Sequence, residues 1–127
     1  MILILDYGMG NSGSILNMIR RIGGEVEIGT SESQIMSASV IILPGVGSFD
    51  NGMIKLKDLD VINPLEKKIL NDRIPFLGIC LGMQLLFNNS EEGTREGLGW
   101  ISGKVKKFDF AENTGNKLKV PHMGWNI

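Results

Sequence analysis

The chain is poor in the residues that most often carry chemistry. Its 127 residues include one cysteine, one histidine and one tyrosine. A single cysteine excludes an internal disulfide framework and suits a reducing compartment. The net charge is −1 and no long basic run occurs, which argues against a nucleic-acid partner. No apolar run approaches the length of a membrane span. The N-terminal run from Met1 stops at Asp6, too soon for a signal peptide, and has no basic leading region. A cytoplasmic protein away from membranes is expected.

What is present fits a small globular unit. The apolar fraction of 43% and the length suit one domain, residues 1–127, with a modest core. Glycine is abundant at 17 residues, clustered at the ends of apolar runs, where it serves turns. No internal repeat or linker interrupts the chain.

Apolar runs and helical stretches alternate. Residues 2–6 read as a buried strand. Asn11 or Ser12 can cap a helix to about Ile22, with Ile15, Leu16, Met18, Ile19 and Ile22 on its inner side. Residues 25–29 alternate like a strand nearer an edge. Ser31 and Gln34 have capping-box spacing for a short helix. Residues 39–43 form a further strand, and helical material follows over about 53–72, broken before Pro64. Residues 75–80 read as a strand and a helix follows to about Asn88. Residues 90–97 form a loop, and residues 104–110 alternate like an antiparallel strand. Strands that are continuous apolar runs are buried on both faces. The expected class is therefore α/β, with a mostly parallel sheet flanked by helices. Ligands of such sheets bind at the carboxyl ends of the strands.

Three loops lie at those ends. In the last, Gly78-Ile79-Cys80-Leu81-Gly82 joins a strand directly to a helix. Small residues two positions either side of a nucleophile let the backbone turn sharply and present the side chain. The helix N-terminus behind Cys80 favours the thiolate, and the Leu81 amide is free to face an oxyanion. A lone cysteine in an apolar strand is more often a small buried hydrophobe. Gly78 and Gly82 weigh against that, because a buried strand gains nothing from them.

The first loop, Gly8-Met9-Gly10-Asn11-Ser12-Gly13, is a formal G-x-G-x-x-G between strand and helix, with Glu25 or Glu27 near the place of a ribose-binding acid. Alone it proposes a dinucleotide-linked oxidoreductase. A tight turn that packs helix against strand ranks higher, since Asp6 and Tyr7 put a charge and a bulky ring just ahead. The middle loop, Pro44-Gly45-Val46-Gly47-Ser48-Phe49, is no Walker loop. Its Gly-x-Gly backbone can aim amides at a shared point.

Taken together, Pro44 to Phe49, Gly78 to Gln84 and Val120-Pro121-His122-Met123-Gly124-Trp125-Asn126 resemble class I, triad-type glutamine amidotransferases. More narrowly, they are similar to the glutaminase subunits of imidazole glycerol phosphate synthase. The resemblance covers essentially the whole chain. It implies a flavodoxin-like glutaminase fold and attack of Cys80 on the glutamine side-chain amide. A thioester forms, and the ammonia passes to a cyclase subunit in a heterodimer. It places the oxyanion hole at the amides of Val46 and Leu81, and glutamine at Gly47, Gln84 and Glu92. Asn11, His122 and Trp125 fall at the partner interface. It implies no cofactor and no metal. A glutaminase serving another synthase, such as one that amidates a surface sugar, shares these motifs. A non-catalytic interaction module is a third class.

The resemblance also implies a His-x-Glu motif for the triad base, which these residues do not contain. His122 belongs to a different motif and is not assigned as the base. The expectation is an N-terminal portion of a longer domain, without appreciable glutaminase activity by itself, whose exposed apolar surface invites association.

Overall fold

The computed structural model describes residues 1–108. His122 and Trp125 lie outside the described residues. Eleven labelled elements follow one another: β1 (Ile2–Leu5), α1 (Ser12–Arg21), β2 (Val26–Gly29), α2 (Glu32–Ser37), β3 (Val40–Leu43), α3 (Phe49–Asp58), α4 (Ile62–Glu66), β4 (Phe76–Gly78), α5 (Leu81–Gln84), β5 (Asn89–Ser90) and β6 (Lys104–Val105). A π-helical turn, Lys67–Asn71, extends α4.

The first four strands form one sheet in the order β2-β1-β3-β4. All three pairings are parallel, with Ile2 opposite both Val26 and Val40, and Ile41 opposite Phe76. The expected α/β class is what the chain adopts, and β2 lies at an edge. Alternate residues of each strand face opposite sides. Leu3, Leu5, Ile41 and Leu43 enter the larger core, with Ile35, Leu56, Leu65, Leu81 and Leu85 from the helices. Ile4, Val26 and Ile42 face the other side, where Ile15, Leu16 and Ile19 of α1 cover them. Among the described residues no helix is long and apolar enough to cross a membrane.

Local capping explains several boundaries. Asn11 accepts the Ser14 amide at 3.2 Å and starts α1. Ser31 and Gln34 form the expected capping box, each side chain meeting the other's backbone N–H at 3.2 Å. Ser48 accepts the Asn51 amide and starts α3 at Phe49, four residues before the expected helix.

Other expectations need correction. Met18 and Ile22 are 66% and 80% exposed, because α1 rests on the sheet through the narrow Ile15, Leu16 and Ile19 stripe. The helix after Cys80 ends at Gln84, not near Asn88. The carbonyls of Leu85, Leu86, Phe87 and Asn88 accept amides of Leu98, Ile101, Gly99 and Gly97, which diverts the chain. The strand at Lys104–Val105 pairs with Asn89–Ser90 in parallel, not antiparallel. It is short, and a loop between the two strands brings the chain back in the same direction.

Candidate functional site

The elbow is built from glycines that have no alternative. A Cβ at Gly78 would lie 2.8 Å from the Met83 Cα and 2.9 Å from the Gly82 carbonyl oxygen. A Cβ at Gly82 would overlap the carbonyl oxygen of Leu43. Both are backbone atoms that cannot swing aside. β4 therefore passes into α5 within a single turn. The Ile79 amide still donates to Leu43 at 2.9 Å, and the Gly82 amide already donates back to Ile79 at 2.9 Å.

Cys80 occupies the corner. Its φ of 54° and ψ of −114° lie where side chains other than glycine are strained. Its thiol is exposed. The buried-hydrophobe reading therefore does not hold. An exposed thiol on a strained strand-to-helix corner is the geometry of a nucleophile elbow.

The three loops meet at this corner. The Gly45 carbonyl accepts the Leu81 amide at 3.2 Å, and the Val46 amide donates to the Met9 carbonyl. Leu81 and Val46, the two amides matched to an oxyanion hole, are thus engaged with backbone oxygens. One peptide unit, Gly45–Val46, carries both the acceptor for Leu81 and the Val46 donor. Gly47 has φ +129°, and a Cβ there would stand 2.8 Å from the Met9 methyl. Gln84 ends α5, half-buried, one turn beyond Cys80, with its amide on the Cys80 carbonyl at 3.1 Å.

The first loop uses its glycines for packing. Gly8 has φ +86°, and a Cβ at Gly10 would stand 3.2 Å from both Pro44 Cβ and the Gly45 amide. Gly10 therefore closes against the neighbouring loop, and Asn11 caps the helix that a phosphate would otherwise cap. Asn11 is exposed at the end of the first loop. The tight-turn reading accounts for all of this.

Glu92 lies on the exposed loop after β5, its amide on Ser90 Oγ at 3.1 Å. That loop is fastened by a residue absent from the sequence reading. Asp50, in the first turn of α3, accepts the Thr94 amide at 3.0 Å, the Thr94 hydroxyl at 3.1 Å and the Arg95 amide at 2.9 Å. The Arg95 amide first, then the Thr94 amide, hold the Asp50 carboxyl below its ordinary range, against a smaller opposing effect of burial. An acidic residue in a first helical turn is a readable capping feature, but its loop partners are remote in sequence.

Tyr7 is the other residue underrated in the sequence. It is 2% exposed, and its hydroxyl has no hydrogen-bond partner among the described residues. The hydroxyl lies against the Gly45 α-carbon, so closely that a Cβ there would overlap it. Burial, and secondarily the charge at Cys80, push its pKa up. The hydroxyl therefore remains a donor throughout the physiological range.

Comparisons with known proteins bear on the family and the fold. The family model for "Glutamine amidotransferase class-I" matches residues 3–127. The imidazole glycerol phosphate synthase subunit HisH 2 of Methanococcus maripaludis is 55% identical over 99% of this chain and 60% of its own length. The HisH subunit of Leptospira interrogans is 46% identical over 99% of this chain and 61% of its own. The chain thus spans about 60% of the length of these curated relatives. A crystal structure of a glutamine amidotransferase superposes with a TM-score of 0.71 at 17% identity, over 92% of this chain and 59% of that one. At that identity the match concerns the fold.

Proposed function

The chain belongs to the class I glutamine amidotransferases, and from that premise we propose that it carries the nucleophile of a glutaminase. The observation that carries this reading is Cys80 itself, exposed and strained at the end of β4 between two glycines that backbone contacts require. In the proposed reaction the Cys80 thiolate adds to the glutamine side-chain carbonyl carbon. The oxygen takes the negative charge, the C–N bond breaks, and nitrogen leaves as ammonia after gaining a proton. Water then cleaves the thioester to glutamate and restores the thiol.

The oxyanion needs donors aimed at it. A turn of the Gly45–Val46 peptide would release the Leu81 amide and bring the Val46 amide toward the same side. Glutamine would lie along Gly47 and Gln84, with Glu92 facing its amino group. We assign the ammonia acceptor as the cyclase subunit of imidazole glycerol phosphate synthase, supported by the names of the similar HisH subunits. Asn11 would face that partner, as would His122 and Trp125, which lie outside the described residues. The cytoplasm is the proposed compartment, consistent with a lone free thiol.

The test is covalent. A diazo-ketone analogue of glutamine should give one adduct by intact mass, located at Cys80 and lost in Cys80→Ala. An unlabelled wild-type chain, or label that persists in Cys80→Ala, would overturn the assignment.

A further inference from the structure

Two adjacent glutamates on the loop after β5 are used differently. Glu91 is spent on the fold. Its carboxylate accepts the Lys107 amide at 3.0 Å and pairs with Lys104 at 3.7 Å, and its own amide donates to Val105 at 2.9 Å. Glu92 is exposed, and its carboxylate enters no hydrogen bond or ion pair among the described residues.

The backbone under Glu92 is held on both sides. Before it, buried Ser90 takes the Glu92 amide on its hydroxyl and the Gly93 amide on its carbonyl, at 3.1 Å and 3.2 Å. After it, Gly93 rests on Asp50, where a Cβ would stand 2.5 Å from Oδ1 and 3.4 Å from the Phe49 ring. The amides of Thr94 and Arg95 then donate to the same carboxylate. A free carboxylate on a fixed backbone suits a cationic ligand group, because little ordering remains to be done on binding.

Asp50 also fixes where this carboxylate stands. It lies three residues beyond Gly47, in the first turn of the helix that Ser48 caps. One helix therefore carries the loop matched to glutamine at its start and the Glu92 loop on its first turn. The clamp requires a carboxylate. The Thr94 amide meets both oxygens at 3.0 Å, whereas an asparagine would turn an NH2 group toward one of those donors.

We infer that Asp50 is a positioning residue for glutamine, holding the Glu92 carboxylate where the α-amino group of the substrate is recognised. This rests on the glutaminase reading above. Asp50 acts through Gly93, Thr94 and Arg95 and is not itself a contact of the substrate.

The experiment follows labelling of Cys80 by two diazo-ketones, the glutamine analogue and the same molecule without its α-amino group. In each, the diazo carbon takes a proton from water and the thiolate displaces N2. Asp50→Asn should raise the half-saturating concentration of the amino analogue about five- to tenfold, the equivalent of one ordinary hydrogen bond. Its maximal labelling rate should be unchanged, as should labelling by the des-amino analogue. Glu92→Gln should do the same, and the double variant should lose no more than either single one. Thr94→Val removes one donor and leaves Asp50 in place, so a shift of about twofold in the same direction is expected.

An unchanged half-saturating concentration in Asp50→Asn would overturn the inference. So would an equal loss with the des-amino analogue, which marks a merely structural clamp, or additive losses in the double variant, which separate Asp50 from Glu92. If Asp50→Asn does not fold, Thr94→Val decides, and equal selectivity to wild type overturns the inference. If folded wild type is labelled no faster than chain unfolded in urea, the glutaminase reading itself falls, and the inference with it.

Discussion

At Cys80 the backbone angle reverses an ordinary rule of substitution. Glycine usually destabilises an element relative to alanine, by roughly 0.5–1 kcal/mol. With φ at 54° the corner favours glycine instead. Cys80→Gly is therefore expected to be more stable than Cys80→Ala, by about 1–2 kcal/mol, the size of a typical backbone strain. Urea denaturation of the two variants checks it, and an alanine variant of equal or higher stability would show that the corner is unstrained. The neighbouring glycine behaves in the opposite sense. Gly82→Ala drives a methyl into the Leu43 carbonyl. A loss of about 3 kcal/mol is expected, with a lowered urea midpoint. An unchanged midpoint would mean that β3 and α5 can part without penalty.

Among the elements, the loop carrying Glu92 depends on the first turn of α3. Asp50 gathers three donors from Thr94 and Arg95, and those bonds depress its pKa. A carboxyl lowered in the folded state stabilises above its ordinary pKa of 3.8, and the effect disappears as pH falls through the lower folded value. Amide exchange at Thr94 and Arg95 should therefore remain protected down to about the ordinary aspartate range, and lose protection only below it. Asp50→Asn should lose much of that protection at neutral pH. Protection that ignores both pH and the substitution would remove Asp50 from this role. The same elements mark what the residues alone could disclose. The α2 capping box was legible because its partners are three residues apart. The elbow was legible because two glycines frame one cysteine within five residues. The start of α3 was hidden by Gly52, a residue that local preference places outside helices. Its lack of a side chain instead lets α3 approach α5, where a Cβ would stand 3.1 Å from Leu85. The end of α5 was hidden because its carbonyls terminate on residues 97–101. The Asp50 clamp joins positions 44 and 45 residues apart, which no local pattern reports.

Across the whole molecule the two faces of the sheet are unequal. Ile41 is fully enclosed in the larger core, while Ile42, its neighbour, is 7% exposed in the smaller cluster with Ile4, Val26 and the α1 stripe. Ile41→Ala should cost about 4 kcal/mol and Ile42→Ala about 2 kcal/mol, the spread expected from how well each site can collapse. Chemical denaturation of both variants tests the ordering, and the reverse order would contradict the asymmetry. Leu77, opposite Ile42 on β4, continues the lesser face and is 52% exposed.

The order of strands in the sheet also sets a timetable for synthesis. β1 leaves the ribosome before both of its partners, Val26 for one side and Val40 for the other. No hairpin joins any two strands of the main sheet. β1 must therefore wait unpaired while α1 is translated, and paired on one side only until α2 has followed. Closing such separations before any pairing repays them slows assembly. The strand that precedes the first loop is thus also the one exposed longest to wrong partners in the cell.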